Sequence, residues 1–506
     1  MLKETWDKVL LFKKAERGYT WARLFYVLLV IIFLSSLLAV YHSFKVLPAG
    51  LDYASGEYVV NMSDLKFLRD LTYRDSSGQI EQQQEIFKTM FDRIDGAEQY
   101  ILVDMFFWNT FSPEGQRPTV SLSQELVDKL LAKKTANPDI IIDVITDPIN
   151  TVYGGMVSPQ LESLKKAGIN VIITDLSSLR DPNPIYSGPW RLLVGWWGNS
   201  DKHSWLPNPF DYRGSGKVTI RSYLALLNFK ANHRKVFLAD KQGELTSIIT
   251  SANPHDLSAS NSNVGLEVGG VFGQEVYKTE NAVATMSGSS LSPMPANLLV
   301  PKKGTNDYGQ ARLLTENQIR LALLDKINQA NKGDKLSIAM FYLSERQIIK
   351  ALLSASEREV EIKIILDPSK DAFGFTKDGI PNREVAEELK ANSKNKIQIR
   401  WYETKGEQFH TKLIVLQSVS DEMTTLWLGS ANLTKRNLAN YNLETNVEVT
   451  TKTNLGVALE TRAYFDNVWN NAEGNIYTVP QEQYRNGSFF KYWLYRLQEV
   501  TGWSSF

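Results

Sequence analysis

The chain has no cysteine in its 506 residues. That excludes disulfide frameworks and thiolate metal sites, and it argues against a relative from an animal secretory pathway, where disulfides are the rule outside the cytosol. A bacterial envelope protein fits better. Net charge is absent too: 56 basic residues balance 56 acidic ones, so no overall basic footprint marks the chain for nucleic acid. A local groove in a neutral protein can still be basic, which keeps a nucleic-acid phosphodiester substrate as the weaker alternative. Histidine is scarce, with five in all. Two of these five stand in matched settings, and that coincidence organises the reading.

The matched settings are His233-Arg234-Lys235 and His410-Thr411-Lys412, followed by Ser251-Ala252-Asn253 and Ser430-Ala431-Asn432. A lone H-x-K triplet means nothing, but two copies, each before an apolar run, suggest two halves of one active site. On a strand, alternation would put the His and Lys side chains on one face. Imidazole can attack phosphorus or protonate a leaving oxygen. Lysine holds a phosphate oxygen as a point charge, and Ser and Asn add neutral donors. Two such sets could split a phosphodiester in two steps, one histidine forming a phosphohistidine and the other moving the protons. No metal or other cofactor is required, because the two lysines supply positive charge.

The pattern resembles the phospholipase D superfamily, whose motif reads H-x-K-x4-D followed by G-S-x-N. The first copy matches through His233, Lys235 and Asp240, then Ser251 and Asn253, with Thr250 in place of Gly. The second matches through His410, Lys412, Gly429, Ser430 and Asn432, with Gln417 where Asp is expected. The strings Asn232-His233-Arg234-Lys235 and Gly429-Ser430-Ala431-Asn432-Leu433 look like bacterial cardiolipin synthases. The resemblance implies His233 as nucleophile and His410 as general acid, then base. It also implies phosphate binding by Lys235, Lys412, Asn253 and Asn432 with support from Ser251 and Ser430, a supporting Asp240, and a downstream carboxylate orienting each histidine. Glu267 and Glu444 are the expected carboxylates, with Glu448 a rival for the second.

Internal repetition extends beyond the motifs. Tyr100–Trp108 parallels Lys335–Leu343, and Ile140–Pro148 parallels Val360–Pro368, with helical stretches expected over 122–134 and 346–358. Strands alternating with helices predict an α/β fold: duplicated phospholipase D-type lobes, each a mixed β-sheet flanked by helices, with an N-terminal transmembrane helix. The expected organisation is a basic, cytoplasmic N-terminus (1–23), a membrane helix (24–44), a first lobe (60–285), a Ser/Pro/Gly-rich linker (286–306), a second lobe (307–480) and an amphipathic C-terminal helix (481–506). Asp147 to His233 spans 86 positions and Asp367 to His410 spans 43, so the first lobe carries an insert of about 43 residues. The insert is rich in aromatics, Gly and Pro. It is expected to be a folded excursion burying its aromatics, or a surface entering lipid headgroups.

Residues 24–44 carry no formal charge and can span a bilayer. Six basic residues precede them and only Lys45 follows closely, so the positive-inside rule places the N-terminus in the cytoplasm and the large domain outside the cell membrane, in the periplasm of a Gram-negative cell. A cleaved signal peptide is the alternative. The stripe Phe489, Phe490, Trp493, Leu494, Leu497, Val500 is expected to be a last core helix, or else an interfacial one. His255, His203 and His42 are expected to be structural or surface residues. The function so implied is a membrane-anchored phosphodiesterase or phosphatidyltransferase acting on phospholipids. The alternatives are a single-strand nuclease with strongly salt-dependent binding, or an anchored, inactive binding protein.

Overall fold

Two large mixed sheets each carry one motif copy at their centre. The computed structural model describes residues 2–112, 120–211, 216–299, 308–372, 375–376, 378–485 and 488–503. The first sheet runs, edge to edge, Ile80–Gln84, Leu65–Arg74, Asn263–Gly269, Glu244–Thr250, Lys235–Lys241, Tyr100–Met105, Ile141–Thr146 and Asn170–Ile173. The second runs Tyr58–Asn61, Tyr308–Thr315, Thr445–Lys452, Met423–Gly429, Lys412–Gln417, Lys335–Met340, Glu361–Leu366, Gln398–Tyr402 and Thr478–Pro480. In each, the motif strand lies antiparallel between the strand leading to Ser-Ala-Asn and the first strand of a parallel pair. Part of the expected linker, 300–306, lies outside the described residues. Its earlier part packs down, with Leu291 and Leu298 buried.

Both faces of the motif strands are apolar because both are covered. Val236 and Leu238 join Leu413 and Val415 in one core shared by the two sheets. Phe237 and Ala239 instead pack with residues of the helices Ile86–Gly96 and Leu122–Ala136. Ile414 and Leu416 do the same with the helix Arg346–Glu357. The alternation is the period of a strand, and it yields a near-continuous hydrophobic run because neither face meets water.

The histidines differ from their expected setting in one respect. Each lysine is the first residue of its strand, and each histidine lies two residues earlier, in a segment that crosses between sheets. Asn232 bridges to Leu443, and Phe409 to Ser262. The His233 N–H donates to the Leu443 carbonyl at 2.9 Å, and the Ser262 N–H to the Gln408 carbonyl at 3.0 Å. Arg234 pins the same junction. Fully buried, its guanidinium donates to Glu280 at 3.1 Å and Glu316 at 2.7 Å. Glu316 also accepts the Glu444 and Asp52 N–H groups.

One helix, Leu2–Phe44, precedes the sheets. Its stretch Thr20–Phe44 has mean hydropathy 2.6 and is 6% buried, apolar and long enough to cross a membrane. The insert helix Pro184–Leu193 packs on it so closely that a Cβ on Gly188 would lie 2.3 Å from the Ser35 carbonyl oxygen. The expected burial of the insert's aromatics holds only in part. Phe210 packs beside Phe111, whereas Trp196, Trp197 and Trp205 are exposed. The C-terminal stripe is likewise not a core helix. Helix Phe489–Thr501 turns its polar side inward, Tyr495 bonding Arg346 and Glu388 and Glu499 bonding Ser344. Phe489 and Phe490 are left 79% and 74% exposed, with Trp493, Leu497 and Val500.

Candidate active site

Duplicate scaffolding brings the two triplets together. Asp147 and Asp367, the acids of the repeated Asp-Pro pairs, accept the N–H of the residue before each histidine, Asn232 at 2.7 Å and Phe409 at 2.9 Å. The Asn150 and Asn382 amides donate to the Phe106 and Phe341 carbonyls. Those two rings in turn flank the histidines, Phe106 at 4.9 Å from His233 and Phe341 at 5.0 Å from His410, centroid to centroid. His233 and His410 then line one cavity of ≈330 Å³ together with Asn253 and Asn432.

Lys235 and Lys412 lie behind the histidines. Each ammonium donates to the carbonyl of its own histidine, at 2.8 and 3.0 Å, and sits over Phe106 or Phe341. Both are buried. Burial pushes Lys235 down to about 7 against the pull of Glu444, and burial with the neighbouring Lys235 holds Lys412 well below the usual lysine range. Burial and the lysines also keep both imidazoles well below their ordinary value, hence neutral near pH 7. Burial thus disfavours the charged form of both lysines, and an anion in the cavity would restore it.

The orienting groups come from the opposite sheet. His233 Nδ1 is 3.0 Å from the Glu444 carboxylate. Glu444 also accepts from the Ser430 hydroxyl and the Asn437 amide, and burial raises its carboxyl to about 7. His410 Nδ1 is 3.1 Å from Asn263 Oδ1, whose amide nitrogen donates to the Asn261 carbonyl and so fixes which end faces the ring. Ser251 donates to the same Oδ1 as Ser430 does to Glu444. Asn263 and Glu444 are counterparts, each directly preceding the residue whose carbonyl takes the Ser251 or Ser430 N–H.

This corrects the expected pairing. Glu267 touches neither histidine; its carboxylate is bound by Arg93, Nε at 2.5 Å and Nη2 at 3.0 Å. Its counterpart Glu448 is held by Arg312 and the Trp427 indole. Glu444 is at the site, but on His233 rather than His410. Asn263 carries no charge, so the expectation of a carboxylate beside each histidine does not point to it; its sequence signal is its place two residues before Gly265, matching Glu444 before Asn446. Asp240 lies away from the cavity and accepts the N–H groups of Glu98, Gln99 and Tyr100, fixing the start of a neighbouring strand. Asn253 Oδ1 accepts from the Phe107 N–H at 3.4 Å, while Asn432 Oδ1 is buried with no partner. His255 is tied through both ring nitrogens to Ser258 and the Phe111 carbonyl, and burial lowers it to about 4.

The chain is similar to known proteins in part of its sequence and in its fold. Residues 323–469 match the family model of the cardiolipin synthase, PLD-like domain. No curated protein matches the chain. Among solved structures, a phosphatidylserine synthase from Haemophilus influenzae Rd KW20 is similar over 92% of this chain and 98% of its own, at 11% identity and TM-score 0.53, which is a likeness of fold. Nuc of Salmonella typhimurium, a phospholipase D family member, is 22% identical over 32% of this chain and 95% of its own, with TM-score 0.25.

Proposed function

Because the chain belongs to the phospholipase D superfamily, we propose that it is a membrane-anchored phosphatidyltransferase or phosphodiesterase that works on phospholipids through a phosphohistidine. The observation that carries this is the convergence of His233 and His410 from separate sheets on one cavity, with Lys235 and Lys412 directly behind them. The Asn253 and Asn432 side chains, which line the same cavity, complete the phosphate seat.

The unequal partners support a division of roles. Glu444 accepts the Nδ1 proton of His233, leaving Nε2 as the attacking atom, and its charge offsets the positive charge that ring acquires when phosphorylated. His410 faces a neutral amide, so its imidazolium is less stabilised and a stronger acid. In the first step, with the anionic phosphate bound and the His410 ring protonated beside it, His233 Nε2 bonds to phosphorus while His410 gives its Nε2 proton to the departing alcohol oxygen. In the second, His410 takes the proton of the incoming hydroxyl, whose oxygen bonds to phosphorus as the N–P bond breaks. Lys235 and Lys412 hold the non-bridging oxygens throughout.

A lipid substrate is supported by the apolar surfaces next to the cavity. The insert helix packs on helix Thr20–Phe44, with Gly188 against Ser35, the exposed Trp196 shares a cavity with Leu38 of that helix, and Trp503, just past the C-terminal helix, packs on Phe229 of the active-site wall. A polypeptide edge of this kind would sit in a bilayer interface with the periplasmic side above it. Purified enzyme in mixed micelles of phosphatidylglycerol and phosphatidylethanolamine tests the reading, with single-stranded DNA in a parallel tube. Cardiolipin or phosphatidic acid that disappears in both His233→Ala and His410→Ala is the expected result. Cleaved DNA with untouched lipid overturns it.

A further inference from the structure

A second cavity, of ≈660 Å³, adjoins the first, and the two share Tyr153 and Lys230. Its walls include Leu38 and His42 of the N-terminal helix, the segment Thr174–Ser177, and Trp190, Arg191, Trp196 and Arg221 of the insert. None of these residues serves the two-histidine centre, and the insert has no counterpart before the second motif.

The charge in this cavity is unbalanced. Arg191, Arg221 and Lys230 line it, and the Lys45 ammonium, donating to the Ser177 carbonyl, lies beside them. Among the described residues two carboxylates, Asp181 and Asp175, face these four cations. Asp181 is already shared, taking Arg191 at 2.6 and 2.8 Å and Lys230 at 2.8 Å. Asp175 caps its own turn through Ser177. Arg221 has no carboxylate at all: it lies over the Trp190 ring at 5.3 Å, donates from Nη2 to the Gly195 carbonyl, and keeps a buried Nε without a partner. Burial lowers Lys45 and Lys230 to about 8. Surplus positive charge removed from water is stabilised by an anion with several acceptor oxygens. Besides Thr174, Ser177 and Asn228, the remaining wall has an apolar and aromatic part made by Leu38, Tyr153, Leu176, Trp190 and Trp196, and Leu38 carries it onto the N-terminal helix.

We propose that this cavity seats the phosphate of a second, anionic glycerophospholipid, the acceptor, with its acyl chains along the N-terminal helix and its headgroup alcohol passing Lys230 to the phosphohistidine. The proposal rests on the phosphatidyltransferase reading above. A glycerol headgroup carries a free hydroxyl a few bonds beyond its phosphate, which suits one cavity for the phosphate and its neighbour for the reacting oxygen. That hydroxyl loses its proton to His410 as its oxygen bonds to phosphorus, and the His233 N–P bond breaks.

The test uses the full-length enzyme in phosphatidylcholine nanodiscs with graded phosphatidylglycerol, comparing wild type, Arg221→Gln and Arg221→Lys. Hydrolysis of water-soluble bis(p-nitrophenyl) phosphate reports the two-histidine centre separately. Loss of one charge-assisted contact should raise the half-saturating phosphatidylglycerol for transfer roughly tenfold or more in Arg221→Gln. Diester hydrolysis should be unchanged, and Arg221→Lys should recover most of the loss. Unchanged phosphatidylglycerol dependence in Arg221→Gln overturns the acceptor site. Equal competition by sn-glycerol 3-phosphate would overturn the lipid assignment in favour of a soluble phosphate. Should wild type cleave the diester yet transfer to no lipid, the transferase reading fails. Native mass spectrometry then decides the site by itself: one fewer bound dihexanoyl phosphatidylglycerol in Arg221→Gln supports it, and equal binding overturns it.

Discussion

Replacing Glu444 by Gln removes a charge from beside His233 while keeping an oxygen able to accept its Nδ1 proton. The carboxylate lies 3.0 Å from the ring. An opposite charge that close shifts a pKa by about 1–3 units, and each unit corresponds to about 1.4 kcal/mol. The phosphohistidine would therefore lose about 1.4–4 kcal/mol of stabilisation, or roughly 10- to 1000-fold in rate. Burial raises the Glu444 carboxyl to about 7, so only part of the charge is present in the empty enzyme, and roughly 100-fold is the expected loss. The mirror-image change, Asn263→Asp, gives His410 a carboxylate and makes it a weaker acid. It should slow transfer from lipid alcohols, which depart with a proton, but spare p-nitrophenolate, which departs without one. Glu444→Gln should slow both. Rapid acid-free quenching of a ³²P-labelled diester, followed by peptide mapping, should place the label on His233. Label on His410, or identical leaving-group behaviour of the two variants, refutes the assignment.

Three further outcomes follow from the same geometry. Lys235 sits near 7 in the empty site and Lys412 is also lowered; an anion raises both, so dimethyl phosphate binding at about pH 8 should take up protons. Calorimetry in buffers of different ionisation enthalpy measures this, and zero uptake contradicts the two-lysine seat. Asp240→Ala strands the Glu98, Gln99 and Tyr100 N–H groups, so urea melts should show about 2–4 kcal/mol lost while folded enzyme keeps its kcat; a large kcat drop at full stability would mean that Asp240 acts in the chemistry. Phe490→Glu with Leu497→Glu places charge on the exposed C-terminal stripe and should depress turnover of vesicle lipid but not of the soluble diester. Equal rates on vesicles would show that the stripe does not meet the bilayer.

Much of the architecture was legible because the chain says it twice. The apolar runs at 101–105 and 336–340, the Asp-Pro pairs and the H-x-K triplets all recur, and each pair occupies equivalent places in the two sheets. The histidine partners were not legible. Strand alternation puts Asn263, Gly265 and Glu267 on one face, so choosing Glu267 had the right side of the sheet. Four residues along a strand is about 13 Å, however, so Glu267 stands about that far along the strand from Asn263, the residue that meets the ring. Nor does a sequence reveal that His233 is served from 211 positions away. The C-terminal stripe misled for another reason: helical periodicity shows that a helix has two faces, and here Tyr495 and Glu499 made enough hydrogen bonds for the polar face to dock.

The crossed pairing of histidines and partners has an evolutionary consequence. A half-length ancestor with this geometry could work only as a twofold dimer, each copy lending its neighbour a carboxylate, and one mutation would have altered both reaction steps at once. Fusion into a single chain dissolved that symmetry requirement. Thereafter the two partner positions were free to differ, as Glu444 beside one ring and Asn263 beside the other now do. The first half was equally free to acquire the insert that leans on the N-terminal helix. Division of labour between two formerly identical sites is what the duplication made available.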